Sequence, residues 1–208
     1  MNTKTDMGWL MKQSFAPMRW AVPGVIPEGF GLLVGAPKLG KSWMALDIAI
    51  SVAAGVPIMG VKAERKPVLY MALEDSWRRL QQRSWELLGN MTPPENLELH
   101  IDPVDALKVA QEFAAANPGG LMIVDTIALV KPQQGSNKNA YEQDYRFTRA
   151  LKDMTPAKGT FIGVHHTRKQ DANDYMDTIS GSNGISGAAD FGLFTDGGVE
   201  LIGASLPG

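Results

Sequence analysis

An α/β fold built on a mainly parallel sheet with helices on both faces is what this sequence predicts, and three observations carry the prediction. Short apolar runs alternate along the chain with stretches of helical spacing, the pattern of strand–helix–strand units. The runs are continuous rather than alternating, as in Leu121-Met122-Ile123-Val124, which suits strands covered on both sides. The first run leads through Gly35-Ala36-Pro37-Lys38-Leu39-Gly40-Lys41-Ser42 into a helix. That is G-x-x-x-x-G-K-S in the strand-to-helix setting that a phosphate-binding loop requires.

The elements follow in order. Residues up to Phe30 hold scattered aromatics, Trp9, Phe15 and Trp20, among Pro17, Pro23 and Pro27, so an extended arm laid on the core is expected. Those aromatics would cover the sheet edge, with lining of a base pocket as the other possibility. Gly31 to Val34 reads as a strand, and Ser42 to Ala54 as a helix stopped by Gly55. Pro67 to Leu73 is the second buried strand, followed by a helix with Trp77, Leu80, Ser84, Leu87 and Leu88 at spacings of three and four, capped by Asp75 or Ser76. Its Arg78, Arg79 and Arg83 fall on other faces. Leu97 to Ile101 alternates as a half-buried strand, and Asp102-Pro103 opens a helix that Asn117-Pro118-Gly119-Gly120 ends. Leu121 to Asp125 is a third buried strand, Lys131 to Asn139 a polar loop, and Tyr141 to Met154 a helix. Thr160 to Val164 forms a fourth strand ending in His165 and His166; a second polar loop from Gln170 leads to a fifth strand over Ala188 to Phe194.

Composition bounds the reading. A chain of 208 residues with 44% hydrophobic and 20% charged content is expected to form one domain with a real core. A net charge of −2 supplies no general basic field, so any nucleic-acid contact must come from a local patch. The chain has no cysteine, which excludes disulfides and thiolate metal sites and agrees with a reducing compartment. Met1 to Asp6 is polar, and no run approaches the roughly 18 apolar residues of a membrane span. A cytoplasmic protein without membrane contact is the expectation.

In a parallel α/β sheet ligands sit beyond the carboxyl ends of the strands. The polar residues there are therefore read together. Backbone amides of Gly35, Ala36, Lys38, Leu39 and Gly40, but not Pro37, would cradle the phosphates of ATP, and the helix start at Ser42 and Trp43 adds its positive dipole end. Lys41 would reach the β- and γ-phosphates and the Ser42 hydroxyl would bind Mg2+. Asp125, after four apolar residues, has the pattern of the acid that orients the magnesium through its waters. Glu74 ends another strand and is assigned as the carboxylate that polarises the attacking water; Asp75, the rival, is more simply a cap. Of His165 and His166 only one can face the γ-phosphate, because adjacent strand residues face opposite ways.

The combination of Arg19 to Gly24, Gly35 to Ser42, Tyr70 to Asp75, Ile123 to Thr126 and His165 to Lys169 resembles the RecA-like ATPases of the plasmid RepA replicative-helicase group. The resemblance spans nearly the whole chain. It implies a RecA-like core, a catalytic Glu74, an Asp125 near the metal, a sensor role for His166, and a hexameric ring that moves on single-stranded DNA. Ile179 to Asp190 is similar to the family's mobile loop and next strand. Lys131, Lys138, Arg168 and Lys169 are the candidates for DNA phosphates.

The chain departs from that pattern at its end. The family continues through further strands and an arginine finger, whereas no Arg or Lys follows Lys169 here. The expectation is a lacking C-terminal hairpin, an unpaired sheet edge near Phe191 to Phe194, slow turnover by the chain alone, and a finger that is missing or replaced by Arg168 or Lys169.

Three functions compete. A DNA helicase or translocase leads; a nucleotide-dependent switch or loader is the alternative; a small-molecule phosphotransferase would need an arginine-rich lid, for which no segment qualifies. Partitioning ATPases carry a lysine at the loop's second position, where this chain has Ala36.

Overall fold

The computed structural model describes residues 5–131, 140–166, 187–195 and 199–202. The chain begins with a short helix α1 (Met7–Leu10), a ribbon of β1 (Trp20–Val22) and β2 (Ile26–Pro27), strand β3 (Gly29–Gly35) and helix α2 (Lys41–Ala54). A small antiparallel pair follows, β4 (Pro57–Ile58) and β5 (Val61–Lys62), then β6 (Val68–Ala72), α3 (Trp77–Leu88), β7 (Leu97–His100) and α4 (Ala106–Ala116). The second half holds β8 (Leu121–Asp125), a single turn α5 (Ile127–Val130), α6 (Ala140–Asp153), β9 (Thr160–His166), β10 (Phe191–Thr195) and β11 (Val199–Ile202).

The main sheet has 7 strands in the order β11-β10-β3-β9-β8-β6-β7. Every neighbouring pair is parallel except β10–β11. This is the α/β architecture the alternating runs predict. Because successive strand residues face opposite ways, each apolar run feeds two cores. Leu33, Tyr70, Ile123 and Ile162 join one side with α2, while Leu32, Met71, Met122 and Phe161 join the other with α4 and α6.

Helix α2 is apolar nearly all round, as a helix buried on every side must be. Ala45, Leu46, Ile48, Ala49 and Val52 are fully inaccessible. Its Gly40 and Gly55 flanks both have positive φ, 80° and 71°, the left-handed turns that only glycine adopts without cost.

Several boundaries differ from expectation, each for a local reason. The N-terminal arm is not extended throughout: residues 20–27 form a ribbon that sends Ala21, Val22 and Ile26 into the core beside α2. Trp9 and Phe15 do not cover the sheet edge, since they stand 49% and 71% exposed. Helix α4 starts at Ala106 rather than at Pro103, because the Asp105 carboxylate accepts the Lys108 N–H at 3.0 Å and fixes the cap there. Strand β9 runs two residues further than its apolar run, since β3 continues to pair with it through Gly35 opposite His166.

The fifth strand begins at Phe191, after Asp190 has turned its carboxylate onto the Phe30 N–H at 2.9 Å. The unpaired edge expected there is absent. β11 pairs antiparallel with β10 from Gly192 opposite Ile202 to Thr195 opposite Val199. Among the described residues no helix is long and apolar enough to cross a membrane.

Candidate active site

The strand phases bring the site together. On the face that carries α2, β8 presents Leu121, Ile123 and then Asp125; β9 presents Ile162, Val164 and then His166; β6 presents Tyr70 and Ala72, with Glu74 two residues further on. Parallel pairing aligns Ala72 with Asp125 and Gly35 with His166. Glu74, Asp125, His166 and the loop from Gly35 to Ser42 therefore meet at one end of the sheet.

A cleft of about 420 Å³ opens beside them. Lys38, Gly40, Lys41, Ser42, Trp43 and His166 line one wall. Lys38 holds φ 70°, a left-handed conformation that a side-chain-bearing residue adopts at a cost of about 1 kcal/mol.

Lys41 is not a solvent-facing loop residue. It is 3% exposed, and its Nζ donates to the Gly35 and Ala36 carbonyls at 2.8 and 2.7 Å. Burial lowers its pKa, while the negative charges of Asp125 and Glu74 oppose that shift. The ammonium is thus aimed by the loop's own carbonyls and flanked by the two acids.

Asp125 is 3% exposed. Its Oδ2 accepts the Tyr70 hydroxyl at 3.2 Å, and its Oδ1 is buried with no hydrogen-bond partner among the described residues. Burial raises its pKa, and the hydroxyls of Ser42 and Tyr70 counter part of the rise. An orphaned carboxylate oxygen beside a serine hydroxyl fits a divalent cation, whose charge relieves the cost of burying the anion.

Glu74 lies with its side chain 46% exposed, its Oε1 accepting the Thr126 hydroxyl at 3.2 Å and its Oε2 3.5 Å from His166 Nε2. His165 points the other way. Burial is the main cause of its lowered pKa; the neighbouring His166 lowers it further and Asp144 opposes the shift.

Asp75 has a different task from Glu74. Its side chain is 4% exposed and forms ion pairs with Arg79, at 3.1 Å, and with Arg83. Ser76 is the cap of α3, accepting the Arg79 N–H at 3.4 Å. These pairs turn α3 toward the nucleotide loop, so that Arg79, Gln82, Arg83 and Glu86 form the second wall of the cleft. The Arg83 guanidinium also lies 5.8 Å from the Trp43 ring centroid.

Periodicity of the apolar residues did not reveal this wall. Counting from Asp75 does: Arg79 and Arg83 follow it at i+4 and i+8, one stripe of the helix. The two pairs should differ in worth. Arg83, 12% exposed, is expected to cost about 2–3 kcal/mol on replacement by Met, because a buried carboxylate loses a partner. Arg79, 70% exposed, should cost under about 1 kcal/mol. Urea unfolding of both variants checks this, and equal losses would show that α3 is not held by the inner pair.

Of the residues suggested for DNA contact, Lys131 is ion-paired with Asp144, whose side chain is 6% exposed. It is not a free loop cation. Lys138, Arg168 and Lys169 lie outside the described residues.

Fold and site together define a RecA-like P-loop ATPase domain, with the fold of the helicase type. Residues 1–172 match the AAA domain family, and the chain belongs to it. Among solved structures it is similar to a DnaB-like replicative helicase studied with its primase, with a TM-score of 0.59 at 16% identity. The match covers 80% of this chain and 47% of that one, so this chain spans about half the helicase's length. No curated protein sequence matches.

Proposed function

We propose that this domain hydrolyses ATP with Mg2+ and serves as the motor of a DNA helicase or translocase that acts on single-stranded DNA as a ring of copies. The observation that carries the reading is the meeting of Lys41, Glu74, Asp125 and His166 at the carboxyl ends of parallel strands, beside a cleft that Lys41 and His166 line. The likeness to a DnaB-like helicase supports the choice of motor over other P-loop enzymes.

Each residue then has a task. The loop amides and Lys41 hold the triphosphate; Ser42 and Asp125 would hold Mg2+, which neutralises phosphate charge. Glu74 accepts a proton from the attacking water as the new P–O bond forms and the bond to the β-phosphate breaks, releasing ADP and phosphate. Arg79 and Arg83 supply positive charge from the opposite wall. Lys138, Arg168 and Lys169 are assigned to DNA phosphates, and Lys131 is withdrawn from that set because Asp144 holds it.

ATPase activity measured with and without single-stranded DNA tests the proposal. Stimulation by the DNA is expected, and mass measurement with an ATP analogue and DNA should show a ring. Hydrolysis indifferent to DNA would overturn the motor reading in favour of a nucleotide-dependent switch. The histidines sharpen the test. His166→Ala should keep basal hydrolysis within about tenfold and lose DNA stimulation, whereas His165→Ala should lower the melting temperature and leave stimulation intact. A reversed pattern would mean that the face toward α6, not the cleft, carries the signal.

A further inference from the structure

Thr126 stands where β8 ends and α5 begins. A threonine at that cap position ordinarily turns its hydroxyl to accept an N–H from the first turn. Here the side chain makes no such bond. Thr126 is 0% exposed, so its hydroxyl must find a partner inside the protein, and it donates to Glu74 Oε1 at 3.2 Å.

Glu74 needs such a partner. It follows the end of β6 and is half exposed, and an unrestrained glutamate there would spread over many rotamers. With Oε1 held by Thr126, Oε2 faces His166 Nε2 at 3.5 Å. The carboxylate is therefore fixed at one oxygen from the strand end that also carries Asp125, and its other oxygen is turned to His166, which lines the cleft. The backbone reinforces the geometry, since the Leu73 N–H donates to the Asp125 carbonyl at 2.7 Å and locks the two strand ends together.

We infer that Thr126 is a positioning residue for hydrolysis: its buried hydroxyl gives up the cap of α5 to hold Glu74 so that Oε2 can take the proton of the attacking water. This rests on the proposed ATPase reading. The hydroxyl acts through Glu74, so its loss should appear in turnover and not in binding.

The experiment compares Thr126→Val, which keeps the shape and removes the hydroxyl, with Thr126→Ser, which keeps the hydroxyl. Steady-state ATPase and equilibrium binding of a fluorescent ATP analogue are measured on the full chain. Thr126→Val is expected to lower kcat by about 10- to 100-fold, the worth of a hydrogen bond to a charged group, with KM and analogue affinity within about twofold. Thr126→Ser should return kcat to within about threefold of wild type. Unchanged kcat in folded Thr126→Val, or a serine variant as slow as the valine one, overturns the inference.

If Thr126→Val does not fold, Thr126→Ala supplies the same comparison. A second readout does not depend on turnover. The side-chain carboxyl carbon resonance of Glu74, assigned by its disappearance in Glu74→Gln, should shift in Thr126→Val and return in Thr126→Ser; an unmoved resonance removes the contact. A wild type that binds the analogue but releases no phosphate would instead sink the ATPase reading, and the resonance would still decide the contact.

Discussion

Lys41→Met is expected to reduce ATP turnover by about a hundred- to a thousandfold, the loss that follows removal of a preorganised charge from a developing oxyanion. The side chain is buried against the Gly35 and Ala36 carbonyls, so the variant also loses two hydrogen bonds of the loop. A cost of about 1–3 kcal/mol in stability should accompany the loss of activity. Phosphate release measures the first effect and thermal unfolding the second. Met keeps the length and apolar stem of the lysine, which limits the damage to the ammonium itself. A folded Lys41→Met protein that hydrolyses ATP at the wild-type rate would remove the loop from the catalytic account altogether.

The same residue shows where the sequence was legible and where it was not. G-x-x-x-x-G-K-S between a strand and a helix identifies the loop, because glycine at a positive φ and a lysine at a helix start have few other reasons to occur together. It does not say how deeply Lys41 sits, since burial depends on what α2 packs against. The apolar runs before Asp125 and Glu74 mark the buried strands, and strand alternation sets His166, which lines the cleft, on the opposite face from His165.

What escaped was contact between elements distant in sequence. Thr126 reaches Glu74 across 52 positions, and Tyr70 reaches Asp125 across 55. The departure from the family's pattern at the chain's end suggests an unpaired edge at β10, whereas Val199–Ile202 pairs with it as a short strand. The second wall of the cleft was hidden differently. Arg79 and Arg83 belong to an exposed polar helix face by composition, and only their ion pairs with buried Asp75 turn that face into part of the site.

Glu74→Gln should separate binding from chemistry. The amide keeps an oxygen to accept the Thr126 hydroxyl and nearly the same volume, so the strand end and the cleft should retain their shape. What disappears is the carboxylate that takes the water's proton, and kcat is expected to fall by about 10²- to 10⁴-fold while affinity for an ATP analogue stays within a few fold. One negative charge beside Lys41 is also lost, but Asp125, the larger of the two carboxylate influences that oppose the effect of burial on that lysine, remains. Asp75→Asn is the informative control, because its carboxylate is committed to Arg79 and Arg83. It should lower the melting temperature first and turnover only through the displaced arginines. Single-turnover hydrolysis and equilibrium binding on both variants decide the matter. Wild-type chemistry in Glu74→Gln, with collapse of chemistry but not of stability in Asp75→Asn, would transfer the role of base from the first acid of this pair to the second.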